Sequence, residues 1–293
     1  MLTYPNLALM KLSAFHTAQG DEVEFYNPFK TYDIVYKSKV FTYKPDAPYL
    51  VTAGQVIEGG TGYHSRRTLP DRIEHICPDY SLYGTQEAYG FLTRGCIRRC
   101  RPCLVPWKEE KIRPNADITE FIADKKAAIL MDNNVLASDW GLSQIEKIIR
   151  MGIRVDFNQG LDARIIANNP DIAKLLARVK WLKPIRMSYD TKRQIASVEK
   201  ATRLLRKYGA TPSNYSVYLV LKDDIKDALA RVMFLKRLKL DPFVQPYRAL
   251  GQEDNPSIVA KDFARWVNLK FIFNSFSWKE YRGRKENGAF PHL

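Results

Sequence analysis

The segment that decides the fold is Ala88-Tyr-Gly-Phe-Leu-Thr-Arg-Gly-Cys-Ile-Arg-Arg-Cys-Arg-Pro-Cys103. Its first residues predict a short buried β-strand, and Cys96, Cys100 and Cys103 follow in a C-x3-C-x2-C spacing. Three clustered thiolates can hold three irons of a [4Fe-4S] cube and leave the fourth iron open, whereas an electron carrier normally uses four cysteines. The segment therefore predicts an iron–sulfur cluster on which chemistry can occur.

A structural zinc site is the main alternative for these cysteines. Cys77 or His75 could supply a fourth ligand. Zinc modules usually pair their ligands as two C-x2-C-like knuckles, and the sequence lacks that arrangement. Cysteines without any metal are a further alternative, and we expect Cys77 itself to be a small buried residue.

Length and composition bound the protein class. The chain has 293 residues with 45% hydrophobic content, which suffices for one large domain and a small one. The first residues do not resemble a signal peptide, and no run of 18 apolar residues occurs. Four cysteines, three of them crowded together, do not form a disulfide framework. We therefore expect a cytoplasmic protein without a membrane span.

The charge favours polyanionic partners. The chain has 46 Lys and Arg against 32 Asp and Glu, a formal net charge of +14, so a nucleic-acid substrate or partner is one hypothesis. Residues 88–113 carry seven basic and two acidic residues, a net charge of +5. Cations beside thiolates also stabilise an anionic cluster, so part of this charge can serve the metal instead.

From residue 88 onward, short apolar runs alternate with amphipathic segments. The spacing of 25 to 40 residues between strands is typical of βα units with parallel strands. Six strands are predicted at 88–92, 128–131, 154–157, 184–187, 215–221 and 243–245. The predicted fold class is α/β, with a curved or partly closed (β/α)6 sheet that has too few units for a complete eight-stranded barrel.

Helix signals agree with this pattern. Helices are predicted around Leu142–Ile149 and Ala196–Leu205 from the helical spacing of apolar residues. Asp117-Ile-Thr-Glu120 predicts a capping box, and Pro170 and Pro256 are expected at first helical positions. Gly152 and Gly209 are expected at helix ends.

Polar residues follow nearly every predicted strand. In parallel barrels, functional residues lie where strands end, so six polar strand ends suggest a polar ligand. Besides the cysteine loop, these ends are Asp132-Asn133-Asn134, Asn158-Gln159-Gly160-Leu161-Asp162, Ser188-Tyr189-Asp190, Lys222-Asp223-Asp224 and Gln245-Pro246-Tyr247-Arg248.

Residues 86–250 resemble the core of the radical S-adenosylmethionine (radical SAM) enzymes. The resemblance rests on Thr93-Arg-Gly-Cys96 with the cysteine triplet, on Leu130–Asn134, on Asp156–Arg164 and on Ile185–Asp190. It implies a partial (β/α)6 barrel with a [4Fe-4S] cluster on Cys96, Cys100 and Cys103. It also implies S-adenosylmethionine as cofactor, whose contacts would be Asp132, Asn133, Asn134, Asn158, Gln159, Ser188, Asp190 and Gln245.

The resemblance also implies a reaction. In the family, an electron from a flavodoxin-type, ferredoxin-type or reductase donor cleaves S-adenosylmethionine to a 5'-deoxyadenosyl radical, which abstracts hydrogen from a substrate. The four histidines, His16, His64, His75 and His292, all lie outside the expected barrel, so a histidine general base there is not expected. Cys77 alone remains after the triplet, so the sequence excludes a second tetranuclear cluster.

Residues 1–85 predict a small α/β domain. A helix is expected over Leu7–Ala18, with extended runs at Glu22–Phe25, Ile34–Phe41 and Tyr49–Ala53. This part resembles the flavodoxin-like, cobalamin-binding-like domain that precedes some radical SAM cores. It lacks Asp-x-His-x-x-Gly, so cobalamin itself is not expected. Gly59-Gly-Thr-Gly62 predicts a tight turn in preference to a phosphate-binding loop.

Residues 251–293 predict a C-terminal helix and extension. Residues 270–285 interleave five aromatic with five basic residues. This pattern suits either aromatic packing over the open side of the barrel, which we favour, or base stacking on a nucleic acid. Two functional alternatives stay open: a nucleic-acid-binding protein with a structural cysteine metal site, and a catalytically inactive iron–sulfur protein.

Overall fold

The computed structural model describes residues 5–46, 48–100, 103–210, 215–222, 224–248 and 256–286. The described residues form two compact units, one up to Gln159 and one from Gly160 onward. The predicted domain boundaries after residues 85 and 250 stay predictions. Arg101, Pro102, Asp223 and the last seven residues of the predicted C-terminal extension lie outside the described residues.

The first unit contains short helices, and its described strands form three parallel pairs and one antiparallel pair among themselves. Its elements in chain order are α1 (Leu7–Ala18), β1 (Ile34–Ser38), β2 (Gln55–Gly59), α2 (Asp71–Glu74), β3 (Ala88–Gly90), β4 (Thr93–Arg94), α3 (Val105–Lys108), β5 (Arg113–Pro114), β6 (Ala127–Leu130), α4 (Asp139–Met151) and β7 (Arg154–Phe157).

The N-terminal part follows the predicted α/β pattern with two corrections. Helix α1 is capped by Asn6, whose Oδ1 accepts a hydrogen bond from the Leu9 amide at 3.2 Å, and β1 pairs in parallel with β2. The predicted strand at Glu22–Phe25 is wrong, because this stretch is exposed and has no strand partner among the described residues. The extended run at Tyr49–Ala53 is also misplaced, since the strand lies at Gln55–Gly59, whereas the run at Ile34–Phe41 contains β1.

The glycines after β2 form a turn. Gly60 has φ +95°, and a Cβ there would collide with the Lys39 carbonyl oxygen. Only glycine fits such a close approach with positive φ. The passage of the Lys39 backbone thus explains Gly60 and Gly62, as the tight-turn prediction required.

A parallel sheet of β3, β6 and β7 lies at the centre of the first unit. The strands end in register, with Gly90 opposite Leu130 and Leu130 opposite Phe157. Helix α4 buries Ile145 and Ile148, and Gly152 (φ +68°) ends it. These strands and this helix confirm the prediction, and the capping box of Asp117 and Glu120 is present on a 3-10 turn.

The second unit alternates helices and strands. Its elements in chain order are α5 (Ala163–Asn168), α6 (Pro170–Ala177), β8 (Lys180–Trp181), β9 (Ile185–Ser188), α7 (Ile195–Lys207), β10 (Tyr215–Leu221), α8 (Ile225–Arg237), β11 (Asp241–Pro246), α9 (Ile258–Asn268), α10 (Lys270–Ser275) and α11 (Trp278–Glu286).

Strands β9, β10 and β11 form a parallel sheet with β10 in the middle. Side chains of β10 alternate between buried and partly buried positions, as both faces of a covered central strand require. Pro170 opens α6 and Gly209 follows α7, which confirms two predicted helix boundaries. Pro256 does not open a helix, because Ser257 caps the Ala260 amide and α9 begins at Ile258.

Aromatic side chains hold the C-terminal helices together. Trp266 of α9 contacts Phe273 at a ring-centroid distance of 5.0 Å, and Phe263 contacts Trp278 at 5.1 Å. Tyr281 stacks on Trp278. These rings pack against one another, which argues against base stacking for them, whereas Phe271 is 80% exposed.

The protein is therefore a mixed α/β chain with parallel sheets, which confirms the predicted class. The described helices are all too short or too polar to cross a bilayer.

Candidate functional site

The three cysteines lie on a loop that begins where the first-unit sheet ends. Strand β4 follows β3 closely and pairs antiparallel with β5, and this short ribbon closes the loop that carries the cysteines and α3. Gly95 has φ +77°, and a Cβ there would collide with the Lys111 carbonyl oxygen. The glycine before Cys96 is therefore required for the loop to close.

Within the loop, Cys96 is partly buried, and Cys100 and Cys103 are exposed. The Cys96 amide donates to the Glu110 carbonyl oxygen at 3.3 Å, and the Cys103 amide donates to the Cys100 carbonyl oxygen at 3.0 Å. The second bond holds the backbone of Cys103 next to that of Cys100. The sequence prediction of a clustered triplet thus corresponds to a single loop.

Two N–H groups point to the sulfur of Cys96. The Arg98 amide lies 3.3 Å from Sγ, and Asn134 Nδ2 lies 3.5 Å from it. Asn134 is 4% exposed, and its Oδ1 is buried without a hydrogen-bond donor among the described residues. A buried unsatisfied amide oxygen costs about 1–3 kcal/mol, so this atom is suited to accept a bond from a ligand.

Asp132 anchors the chain just before the cysteine loop. Its carboxylate accepts hydrogen bonds from the Leu92 amide at 3.2 Å, the Thr93 amide at 2.5 Å and the Thr93 hydroxyl at 2.7 Å. Burial raises the pKa of Asp132 to about 6, although these hydrogen bonds oppose the shift. The side chain therefore fixes the junction between the sheet and the loop, and its predicted ligand contact stays a prediction.

Glu109 connects both ends of the loop with the neighbouring strand end. One carboxylate oxygen accepts from the Gly95 amide at 3.0 Å and from Asn133 Nδ2 at 2.8 Å. The other oxygen accepts from Arg94 Nη1 at 2.9 Å. Asn133 is thus held by Glu109, and the loop is cross-linked on both sides of its cysteines.

Arg94 extends this network into a chain of ion pairs. Its Nη2 lies 3.1 Å from Glu74 Oε1, and Lys11 Nζ lies 3.2 Å from the same oxygen. Burial alone would raise the pKa of Glu74, but Arg94 and Lys11 outweigh burial and lower it. Burial lowers the pKa of Lys11 against the attraction of Glu74. We call Lys11, Glu74, Arg94 and Glu109 the charge relay.

Other basic residues around the loop are also engaged. Lys108 Nζ donates to the carbonyl oxygens of Ser65 and Arg67 at 3.0 and 2.8 Å. Arg113 donates to the Glu109 carbonyl oxygen at 2.8 Å. Three of the seven basic residues counted in 88–113, Arg94, Lys108 and Arg113, therefore make contacts inside the first unit.

Asn158 and Gln159 follow β7 at the same edge of the sheet as the residues after β6. The Asn158 amide donates to the Leu130 carbonyl oxygen at 3.0 Å, which extends the sheet by one residue. Asn158 is partly buried and Gln159 is exposed. The first-unit part of the predicted polar rim therefore lies at one sheet edge.

In the second unit, Ser188 is the last residue of β9 and Asp190 follows the strand. Asp190 Oδ1 accepts from the Val220 amide at 3.1 Å, and the Asp190 amide donates to Gln194 Oε1 at 2.7 Å. Burial raises the pKa of Asp190. Ser188 is partly buried opposite Tyr218 in the sheet. Asp190 thus repeats in this unit the strand-end role of Asp132.

Gln245 lies within β11 opposite Val220 and is exposed. Tyr247 just after it donates its amide to the Leu221 carbonyl oxygen at 2.7 Å, and Lys222 Nζ lies 5.2 Å from the centre of its ring. These residues lie at the carboxyl end of the second sheet, as predicted.

The residues proposed as alternative zinc ligands have other surroundings. His75 Nδ1 lies 2.7 Å from Glu120 Oε2. Cys77 is exposed, so the prediction of a buried residue is wrong. Across the described part of the chain, no three His, Cys, Asp or Glu side chains already converge as a metal site.

The charge relay is the part of the site that sequence reasoning missed. Lys11, Glu74 and Arg94 are distant in sequence and carry no recognisable spacing. Glu109 was counted only as a negative charge beside the cysteines. Their common feature, burial of paired charges behind the loop, requires the folded structure.

Comparison with known proteins adds no relative: no family model matches the chain, and no curated protein matches it.

Proposed function

We propose that the chain is a radical SAM enzyme with a partial (β/α)6 barrel core over residues 86–250. The proposal rests on the environment of Cys96 in the structure. The C-x3-C-x2-C loop leaves a parallel sheet at its carboxyl edge, and buried Asn134 directs its amide nitrogen to Cys96 Sγ while its oxygen lacks a described donor.

The proposed [4Fe-4S] cluster would be held by Cys96, Cys100 and Cys103. All three thiols belong to one loop, which begins at Gly95, and the side chains of Cys100 and Cys103 are exposed. N–H groups on a cysteine sulfur are among the features that set the potential of such clusters. When bound, the cluster would supply one electron for cleavage of S-adenosylmethionine to methionine and a radical that abstracts hydrogen from the substrate.

The protein's own residues would then orient the ligand. Asn134 Oδ1 would accept from the methionyl amino group, with Asp132 and Asn133 holding the adjacent backbone and loop. Asn158, Gln159, Ser188, Asp190 and Gln245 remain the proposed contacts to the rest of S-adenosylmethionine. The chemistry itself belongs to the cofactor, and the chain supplies position and exclusion of water.

The remaining parts of the proposal follow the family resemblance. Residues 1–85 would be a degenerate cobalamin-binding-like, flavodoxin-like domain without cobalamin, and the electron would come from a reductase, flavodoxin or ferredoxin. We place the protein in the cytoplasm.

Anaerobic reconstitution of the full chain with iron and sulfide tests the cluster. We expect about four irons per chain, with loading abolished in Cys100→Ala because three thiolates are needed. Cys77→Ala is the matched control, since it removes another exposed thiol outside the loop and should load fully. Equal iron loss in both variants, or bound zinc without iron, would overturn the proposal.

Addition of S-adenosylmethionine to the reduced, loaded protein separates an enzyme from an inactive cluster protein. Binding to the open iron should change the electron paramagnetic resonance spectrum, and Asn134→Leu should weaken that change without loss of iron. An unchanged spectrum in the wild-type protein would favour the inactive alternative.

A further inference from the structure

The positive charge is concentrated in one half of the sequence. Residues 1–159 contain 20 basic and 19 acidic residues, a net charge of +1. Residues 160–293 contain 26 basic and 13 acidic residues, a net charge of +13. We therefore expect a polyanion to bind to residues in the range 160–293.

Helix α7 presents this charge in an ordered row. Lys200, Arg203 and Lys207 are exposed on the face opposite the buried Val198 and Leu205. At 3.6 residues per turn, the three cations lie within roughly 60° of one another around the helix. We call these three residues the α7 cation row. None of them forms an ion pair with another described residue.

Further cations adjoin the C-terminal end of the row. Lys174 and Lys207 each lie 5.6 Å from the centre of the Tyr208 ring, and Arg206 donates to the Leu238 carbonyl oxygen at 2.8 Å. That bond brings the basic end of α8, with Arg237 and Lys239, next to the end of α7. The basic surface thus continues across α6, α7 and α8.

Helix stability accounts for only part of this charge. Cations in the last turn of α7 complement the helix dipole, but cations before its first turn oppose it at a cost of about 0.3–1 kcal/mol. Arg193 stands at that unfavourable end, and the first turn contains no acidic residue, whereas Lys192 beside it is paired with Asp227 at 3.1 Å. The charge of Arg193 together with the α7 cation row therefore favours an external anionic partner.

We propose that the α7 cation row binds the phosphate backbone of a nucleic-acid duplex. The row spans about 10 Å along the helix, which matches about three phosphates at 3.4 Å per step. A membrane fits less well, because the apolar face of α7 is buried on α5 and α6 and the helix has no aromatic residue. This inference stands independently of the proposed cluster chemistry.

The test compares two triple variants of the full chain with the same loss of charge. Lys200→Gln with Arg203→Gln and Lys207→Gln removes the row, and Lys44→Gln with Lys126→Gln and Arg150→Gln removes exposed cations of the first unit. Binding to fluorescent 20-base-pair RNA and DNA duplexes is measured by anisotropy between 50 and 200 mM KCl.

We expect the row variant to bind at least about tenfold more weakly at 50 mM salt. The slope of log affinity against log salt should become shallower by about 2.7 on DNA, from about 0.9 for each lost phosphate contact. The first-unit variant should bind like the wild type. The exchange variant Lys200→Arg, Arg203→Lys, Lys207→Arg should retain binding, which excludes misfolding as the cause.

Equal weakening by both glutamine variants would overturn the proposal, because net charge alone would then explain binding. Loss of binding to phosphatidylserine vesicles with unchanged duplex binding would also overturn it, in favour of a membrane partner. A difference between the RNA and DNA arms identifies which duplex the row prefers.

Discussion

Residues 1–159 carry nearly balanced charge, whereas residues 160–293 carry almost the entire excess of the chain. In the first unit, the charge relay pairs Lys11, Glu74, Arg94 and Glu109 behind the cysteine loop. In the second unit, the α7 cation row faces solvent without ionic partners among the described residues. The same residue types thus serve internal positioning in one unit and an open surface in the other.

Replacement of Arg94 should reveal this difference most strongly. Arg94→Met leaves Glu74 and Glu109, both mostly buried, without their shared cation. Breaking a buried ion pair is costly, and we expect a loss of about 3 kcal/mol in the free energy of unfolding. Urea denaturation measures it. Arg203→Met is the matched control and should change stability by less than about 0.5 kcal/mol. Similar losses of stability in both variants would mean that the paired cation of the first unit and the exposed cation of the second contribute equally to folding.

The strands were predictable because local pattern and tertiary burial agree. β10 is a run of aliphatic, β-branched and aromatic residues, and its side chains are buried or partly buried as its sequence indicates. Glu22–Phe25 shows the same alternation, but Val23 and Phe25 remain exposed because no neighbouring strand covers them. Alternation specifies a face, and only the folded chain supplies a partner for it.

The site was predictable where it follows chain order. The cysteine loop and Asn133-Asn134 come directly after adjacent strands, so parallel pairing brings them to one edge. The charge relay joins residues up to 98 positions apart, from Lys11 to Glu109. Such pairing depends on packing between α1, α2 and the loop, which no local pattern encodes. The burial of Lys11 and the partial burial of Glu74 could not be predicted from their polarity.

The two strand-end aspartates allow a second comparison of the units. Asp132 and Asp190 both accept a backbone amide of the neighbouring strand segment, and burial raises the pKa of both. Asp132 reaches about 6 against an ordinary value of 3.8. Between these values the folded state holds the proton and the unfolded state does not, so the contribution of Asp132 to stability increases as the pH falls from 7 to 4.

Asp132→Asn should remove this pH dependence. The free energy of unfolding of the wild type relative to the variant should increase by about 2 kcal/mol from pH 7 to pH 4.5, measured by urea denaturation.

For Asp117→Asn, the difference in the free energy of unfolding should change with pH in the opposite direction. Burial alone would raise the pKa of Asp117, but hydrogen bonds from Lys147 and Thr119 lower it well below its ordinary value. Its stabilisation is therefore present at neutral pH and is lost on acidification below about pH 4. Parallel pH profiles of the two variants would contradict this assignment.

The smallest expected effect is on the free energy of unfolding, which repulsion between the unpaired cations lowers. Like charges on the α7 cation row repel one another in the free protein, so Lys200→Gln with Arg203→Gln and Lys207→Gln should stabilise it by about 0.5 kcal/mol at 20 mM salt. At 0.5 M salt the gain should vanish, because screening acts within a few ångströms. The Lys44, Lys126 and Arg150 variant should show no gain at either salt, since these cations are scattered in a nearly neutral unit. If the row variant is more stable than the wild type but binds the duplex poorly, the cations of the row lower the stability of the free protein and are needed for binding. Destabilisation of the row variant at low salt would instead give these cations a role within the fold.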